Sequence, residues 1–206
     1  MVHALQMRLF AAVLPPPEVL AHLELALDTV RGPGVARGPL RWTEAGGRHL
    51  TLAFYGDVPD GYLAEVTGAL DEVSGTTAPF RLALRGAGVF DGRTVWIGLA
   101  GDVDALQSCM RGAGAVGTDV LGRDPGHRSR AHLTVARVRS RGRRNGRRAD
   151  TEPADVESLT HALAVYSGPT WVVEEIVLMV SNLGAGRGGA PRYDVVHRSP
   201  LGAVAG

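Results

Sequence analysis

Two six-residue segments of this chain nearly repeat each other: His49-Leu50-Thr51-Leu52-Ala53-Phe54 and His132-Leu133-Thr134-Val135-Ala136-Arg137. Each alternates with a period of two, the period of a β-strand, whose successive side chains point to opposite faces. His49 and Thr51 therefore share one face, with Leu50, Leu52 and Phe54 on the other. His132 and Thr134 share a face in the same way, opposite Leu133 and Val135. The apolar face can pack on helices. The other face must look at water, at a ligand or at its counterpart. A strand interior most readily holds valine and isoleucine, so an imidazole and a hydroxyl there, twice, require a reason. A duplication retained only for structure would keep the leucines rather than the histidines.

The 206 residues are 45% hydrophobic and 21% charged. That suits one bilobal domain over 1–206, α+β in class, and excludes wholesale disorder and a coiled coil. No apolar run reaches the roughly 18 residues of a bilayer-spanning helix. The start, MVHALQMRLF, lacks a basic region followed by a greasy stretch and a cleavage site. A single cysteine, Cys109, permits neither an internal disulfide nor a thiolate zinc site. These features lead to an expectation of a cytoplasmic protein with no membrane partner. The net charge of +1 supplies no global attraction for nucleic acid, and every basic residue is arginine.

Along the chain, Leu5–Leu14 reads as a strand ended by three prolines. Val19, Leu23, Leu27 and Val30 then recur at helical spacing, predicting a helix from Pro17 to Val30. Arg48–Gly56 reads as a strand closed by Gly56 and Asp57. Asp60 is placed to cap a helix that buries Leu63, Val66, Leu70 and Val73. Phe80–Val89 and Thr94–Leu99 form a hairpin across the Asp91-Gly92 turn. Asp102 can cap a helix bearing Val103, Leu106 and Met110, whose end Gly112, Gly114 and Gly117 weaken. Ala131–Val138 is a strand, and 139–152 a flexible arginine-rich loop. Pro153 opens a helix that buries Val156, Leu159 and Leu163. Trp171–Leu183 and Tyr193–His197 are strands, with a turn at Gly184–Gly189. The expectation is two pseudo-symmetric lobes of mainly antiparallel sheet, helices outside, around a central cleft.

If the two motif strands lie side by side near a pseudo-twofold axis, two imidazoles and two hydroxyls converge on one hollow. One ring neutral and one protonated make a matched general base and general acid. Threonine hydroxyls can donate to phosphoryl oxygens, and each lies about 6–7 Å along the strand from its histidine.

The same residues resemble the 2H phosphoesterase superfamily, and within it the bacterial RNA 2′,3′-cyclic phosphodiesterases, historically called 2′-5′ RNA ligases. The likeness extends beyond the motifs. It includes Met7-Arg8-Leu9-Phe10-Ala11 with Leu14-Pro15-Pro16, Arg41-Trp42-Thr43, and Tyr55-Gly56. It continues in Gly88-Val89-Phe90, Val95-Trp96-Ile97-Gly98, Glu175-Ile176-Val177-Leu178, Ser181-Asn182-Leu183 and Tyr193. The resemblance implies a metal-independent opening of RNA 2′,3′-cyclic phosphate ends to 2′-phosphates, with no cofactor. It implies that His49 gives a proton to the departing 3′ oxygen, that His132 takes one from the attacking water, and that Thr51 and Thr134 hold the nonbridging oxygens. One departure is the run Ser129-Arg130-Ala131 before the second motif, where relatives often carry an aromatic residue and a proline.

Other residues divide between roles. Arg130, two positions before His132, is either a phosphate partner on that residue's face or a loop arginine. Phe10 either packs in the core or stacks on a base beside the cleft. The arginine run through Arg148 either tracks an RNA backbone or is solvated. His127 and His132 lack the carboxylates or thiols a metal site needs, so no metal is expected. Cys109 has no histidine near it to activate it. The expected partners are RNA ends or nucleotides bearing a 2′,3′-cyclic phosphate, with the chain a monomer. The competing readings are 2′-5′ ligation, a small cyclic-nucleotide phosphodiesterase, and a non-catalytic RNA-binding module.

Overall fold

The computed structural model describes residues 6–31, 40–124, 130–139 and 153–202. His127 and the arginine-rich stretch 140–152 lie outside the described residues. The described chain forms one sheet and four α-helices. In order they are β1 (Gln6–Val13), α1 (Pro17–Val30), β2 (Leu40–Trp42), β3 (Leu50–Pro59), α2 (Leu63–Gly75), β4 (Phe80–Phe90) and β5 (Thr94–Gly101). There follow α3 (Val103–Leu121), β6 (Leu133–Val138), α4 (Pro153–Leu163), β7 (Ser167–Val173), β8 (Glu175–Asn182) and β9 (Arg192–Pro200).

The strands run β7-β4-β5-β6-β3-β1-β8-β9, every pairing antiparallel, with β2 added to β6. Four strands lie on either side of the β6–β3 junction in this order. Those two strands meet at one bridging pair, Leu50 with Leu133, and the sheet otherwise parts along this seam. One lobe holds β3, β1, β8 and β9; the other holds β6, β5, β4 and β7.

One face of the sheet is apolar and carries the main core, which contains the buried residues of all four helices. Val19, Leu23 and Leu27 of α1 form one stripe at a spacing of four, and Val66 and Leu70 of α2 another. Leu50 and Leu133 are fully buried beneath the seam. Such a side chain is worth about 1.5–3 kcal/mol of burial. Two of the helices cross to the lobe opposite the strand that precedes them. α1 leaves β1 of the first lobe and packs on α4 and β7 of the second, where His22 Nδ1 meets the Tyr166 hydroxyl at 3.1 Å. α3 leaves β5 of the second lobe and packs on α2 and β3 of the first.

Both motif strands are kinked at the same place. Opposite β1, β3 skips Leu52; opposite β5, β6 skips Val135. These are β-bulges at equivalent positions of the repeat, and they break strict alternation. Leu50 and Leu52 face the main core as expected, but Phe54 crosses to the other face, where it packs beside a small cluster of Phe10, Ala12, Val177 and Met179.

Four other expectations are corrected. Gly56 does not close β3. With φ of +71° it sits in a second bulge, and the strand continues to Pro59. Asp60 does not cap α2 but opens a short 3₁₀ turn, Asp60–Tyr62, ahead of it. The glycines of α3 do not end it; the helix runs on to a left-handed cap at Gly122. A Cβ at Gly112 would lie 2.7 Å from Val73, so the missing side chain lets α2 and α3 approach closely. Finally, Trp171–Leu183 is not one strand. It divides at Glu174 into β7 and β8, on different lobes. The Asp91-Gly92 hairpin forms as expected, both residues at positive φ.

Candidate active site

The bridging pair determines what the motifs can do. The strands begin later than the expected Arg48 and Ala131, so His49 and His132 each stand one residue before them; the antiparallel register of the Leu50–Leu133 bridge, extended one residue either way, would bring His49 opposite Thr134 and Thr51 opposite His132. All four side chains then lie on the face opposite the leucines. The two histidines are diagonal neighbours, a relation that regular antiparallel geometry places at about 7–8 Å between backbones. Each of the four is half-buried.

The two rings are held alike. His49 Nδ1 donates to the Gly47 carbonyl at 3.0 Å, and His132 Nδ1 donates to the Arg130 carbonyl at 3.0 Å. Each acceptor lies two residues before its histidine. A carbonyl can only accept, so each Nδ1 carries a proton and acid-base chemistry falls to Nε2. Fixing one nitrogen also fixes the ring plane.

Aromatic walls back both rings. His49 lies 4.8 Å from Phe10 and 5.0 Å, edge to face, from Tyr193. His132 lies 4.8 Å, edge to face, from Phe90 and 6.3 Å from Trp96. Phe90 and Trp96 stack on each other at 5.2 Å. Trp96 lies flat across its strand partner Gly88, where a Cβ would come within 2.1 Å of the indole. The Arg130 guanidinium sits 4.7 Å above the same indole, a cation–π contact that holds it beside His132. Phe10 is 2% exposed, so its ring is a wall behind His49 and has no open face for a base.

Several contributors were not legible as site residues. Gly47 acts through its backbone carbonyl, which no side-chain pattern reveals, and Arg130, read in the sequence for its guanidinium, adds a carbonyl contact of the same kind. Tyr193, Phe90 and Trp96 stand in short aromatic-bearing segments that were noted, but no spacing ties them to the histidines. Cys109 is buried in the main core, and burial pushes its thiol up, against any nucleophilic role. No three His, Cys, Asp or Glu side chains group as metal ligands among the described residues.

The chain is similar to known proteins in sequence and in fold. The LigT-like phosphoesterase family model matches residues 13–96. An RNA 2′,3′-cyclic phosphodiesterase of Geobacillus stearothermophilus is 31% identical over 189 residues, 85% of this chain and 52% of that protein. One from Aquifex aeolicus is 33% identical over 75 residues, 34% of this chain and 40% of that protein. The chain spans about half the length of the curated relatives it matches. Among solved structures, a Thermus thermophilus protein superposes with a TM-score of 0.70 at 25% identity, covering 96% of this chain and 100% of that one. Escherichia coli LigT complexed with 3′-AMP shares the fold, with a TM-score of 0.70 at 21% identity over 96% of this chain and 99% of that one. The chain is thus similar to the LigT-like phosphoesterases, in sequence over residues 13–96 and in fold over most of its length.

Proposed function

We propose that this protein hydrolyses 2′,3′-cyclic phosphates at RNA ends, or on nucleotides, to 2′-phosphates. The observation that carries the reading is the pair of diagonal His/Thr couples at the Leu50–Leu133 bridge, each ring locked through Nδ1. A neutral His132 takes a proton at Nε2 from water as the water oxygen bonds to phosphorus. The bond from phosphorus to the 3′ oxygen breaks, and protonated His49 gives its Nε2 proton to that oxygen. The product is a 2′-phosphate beside a free 3′-hydroxyl, and the two rings have exchanged protonation states. Thr51 and Thr134 donate to the nonbridging oxygens as charge builds on them. Arg130, held above Trp96, adds a guanidinium on the His132 side. Phe10 serves as the rear wall of His49. The ring pair handles both protons, so this sequence of steps needs no metal.

Relatives named RNA 2′,3′-cyclic phosphodiesterase support the substrate class. The decisive experiment is incubation with a nucleoside 2′,3′-cyclic monophosphate, following the products by phosphorus NMR. The 2′-phosphate is the expected isomer. Accumulation of the 3′-phosphate would reverse the assignment of leaving oxygen, and no turnover of any cyclic phosphate would overturn the reading.

A further inference from the structure

His49 differs from His132 in what stands behind its supporting carbonyl. The Gly47 carbonyl belongs to a short 3₁₀ turn, Ala45–Gly47, in the segment joining β2 to β3. Immediately after it comes Arg48, whose side chain is wholly buried although the neighbouring His49 is only half-buried. Arg48 Nε donates to the Thr43 carbonyl at 3.2 Å, its backbone N–H closes the 3₁₀ turn on the Ala45 carbonyl at 3.1 Å, and Nη2 donates to Glu24 Oε2. One arginine thus clasps both ends of the turn and ties it to α1. Glu24 is also bound by Arg31, which lies 4.7 Å above the Trp42 ring at the end of β2. Burial pushes the Glu24 carboxyl up, but the bonds from Arg31 and Arg48 outweigh it and leave the group below its ordinary value. At the second motif, Ala131 occupies the place of Arg48.

We propose that the ion pair between buried Arg48 and partly exposed Glu24 positions His49, holding the Gly47 carbonyl where it locks Nδ1 and sets the direction of Nε2. Neither residue touches substrate; both act through the turn. As a statement about activity this rests on the phosphodiesterase reading, but its effect on the ring does not.

The test uses two variants of the full chain. Removing Glu24 alone would leave the buried Arg48 charge uncompensated, whereas removing both avoids that penalty. The first variant is therefore Glu24→Gln with Arg48→Met, in which Arg31 keeps Asp28 as a partner at 3.0 Å. The second is Arg48→Lys, which retains a charge for Glu24 but cannot also reach the Thr43 carbonyl. Nitrogen-15 NMR of the imidazoles without substrate reads tautomer and Nδ1 proton protection at each histidine. The expected result is loss of Nδ1 proton protection at His49 with His132 unchanged. Turnover of the cyclic nucleotide should fall about 10–100-fold in kcat with KM little altered, and Arg48→Lys should lie between. Should the double variant fail to fold, Arg48→Lys alone carries the test. An unchanged His49 signal, or equal loosening of both rings, in a folded variant would overturn the proposal. A perturbed His49 ring in a chain that never turns over cyclic phosphate would leave it standing and sink the activity reading instead.

Discussion

At the residue scale, the two histidines make equivalent bonds and are assigned opposite tasks. Replacing either His49 or His132 with alanine should lower kcat about 10²-fold or more, the usual worth of one general acid or base. Steady-state kinetics on a cyclic mononucleotide checks this, and near-normal turnover in either variant would remove that ring from the chemistry. The pH–rate profile should be bell-shaped, since the proposed mechanism needs one ring neutral and the other protonated; a flat profile from about pH 5 to 9 would contradict the pairing. Thr51→Val and Thr134→Val keep shape but lose the donor. Each should cost about 10–100-fold in kcat/KM, the scale of a hydrogen bond to a charged oxygen. The His-x-Thr pattern was legible at this scale because period-two alternation fixes which side chains share a face. The Nδ1 acceptors were not, because a carbonyl leaves no trace in residue identity.

At the scale of elements, strands and helices were read best where periodicity ran unbroken. The first helix begins and ends where Pro17 and the Val19–Leu23–Leu27 stripe place it. Readings failed where a glycine did something other than end an element. Gly56 is absorbed by a bulge and Gly112 by a close helix contact, and both look like terminators when only local propensity is weighed. The β7–β8 boundary failed for another reason. Val173, Glu174 and Glu175 contain no turn residue, and what separates the strands is their attachment to distant neighbours. Gly88 offers a test of the aromatic wall. Gly88→Ala should displace the Trp96 indole and destabilise the fold by about 1–3 kcal/mol, as overpacking does. Urea unfolding followed by tryptophan fluorescence measures the loss, and unchanged stability would mean that the indole has room to move.

Over the whole molecule, the division into two lobes was legible from the repeat, but the exchange of helices was not, since periodicity says which face is buried and not against what. Stability should fall toward both extremes of pH. The Glu24 carboxyl is depressed in the folded protein, so its contribution is present above the ordinary value near 4.5 and lost as pH drops through the lower, folded one. Burial pushes the Tyr166 phenol up to about 12 and raises that of Tyr55 as well. Both favour the neutral form, so their contribution is full below about pH 10 and disappears as pH climbs toward the folded values. Melting temperatures across pH should show both limbs. Glu24→Gln should flatten the acid limb and Tyr166→Phe the alkaline one; limbs that persist unaltered in these variants would place the linkage elsewhere.

The crossing of α1 and α3 bears on how such a molecule can be taken apart. A cut between the two repeats would leave the amino-terminal fragment holding a helix that belongs to its partner's core, and lacking strands β8 and β9 that complete its own sheet. Neither fragment would close around its own apolar surface. The chain is therefore not divisible at that point into two self-sufficient halves.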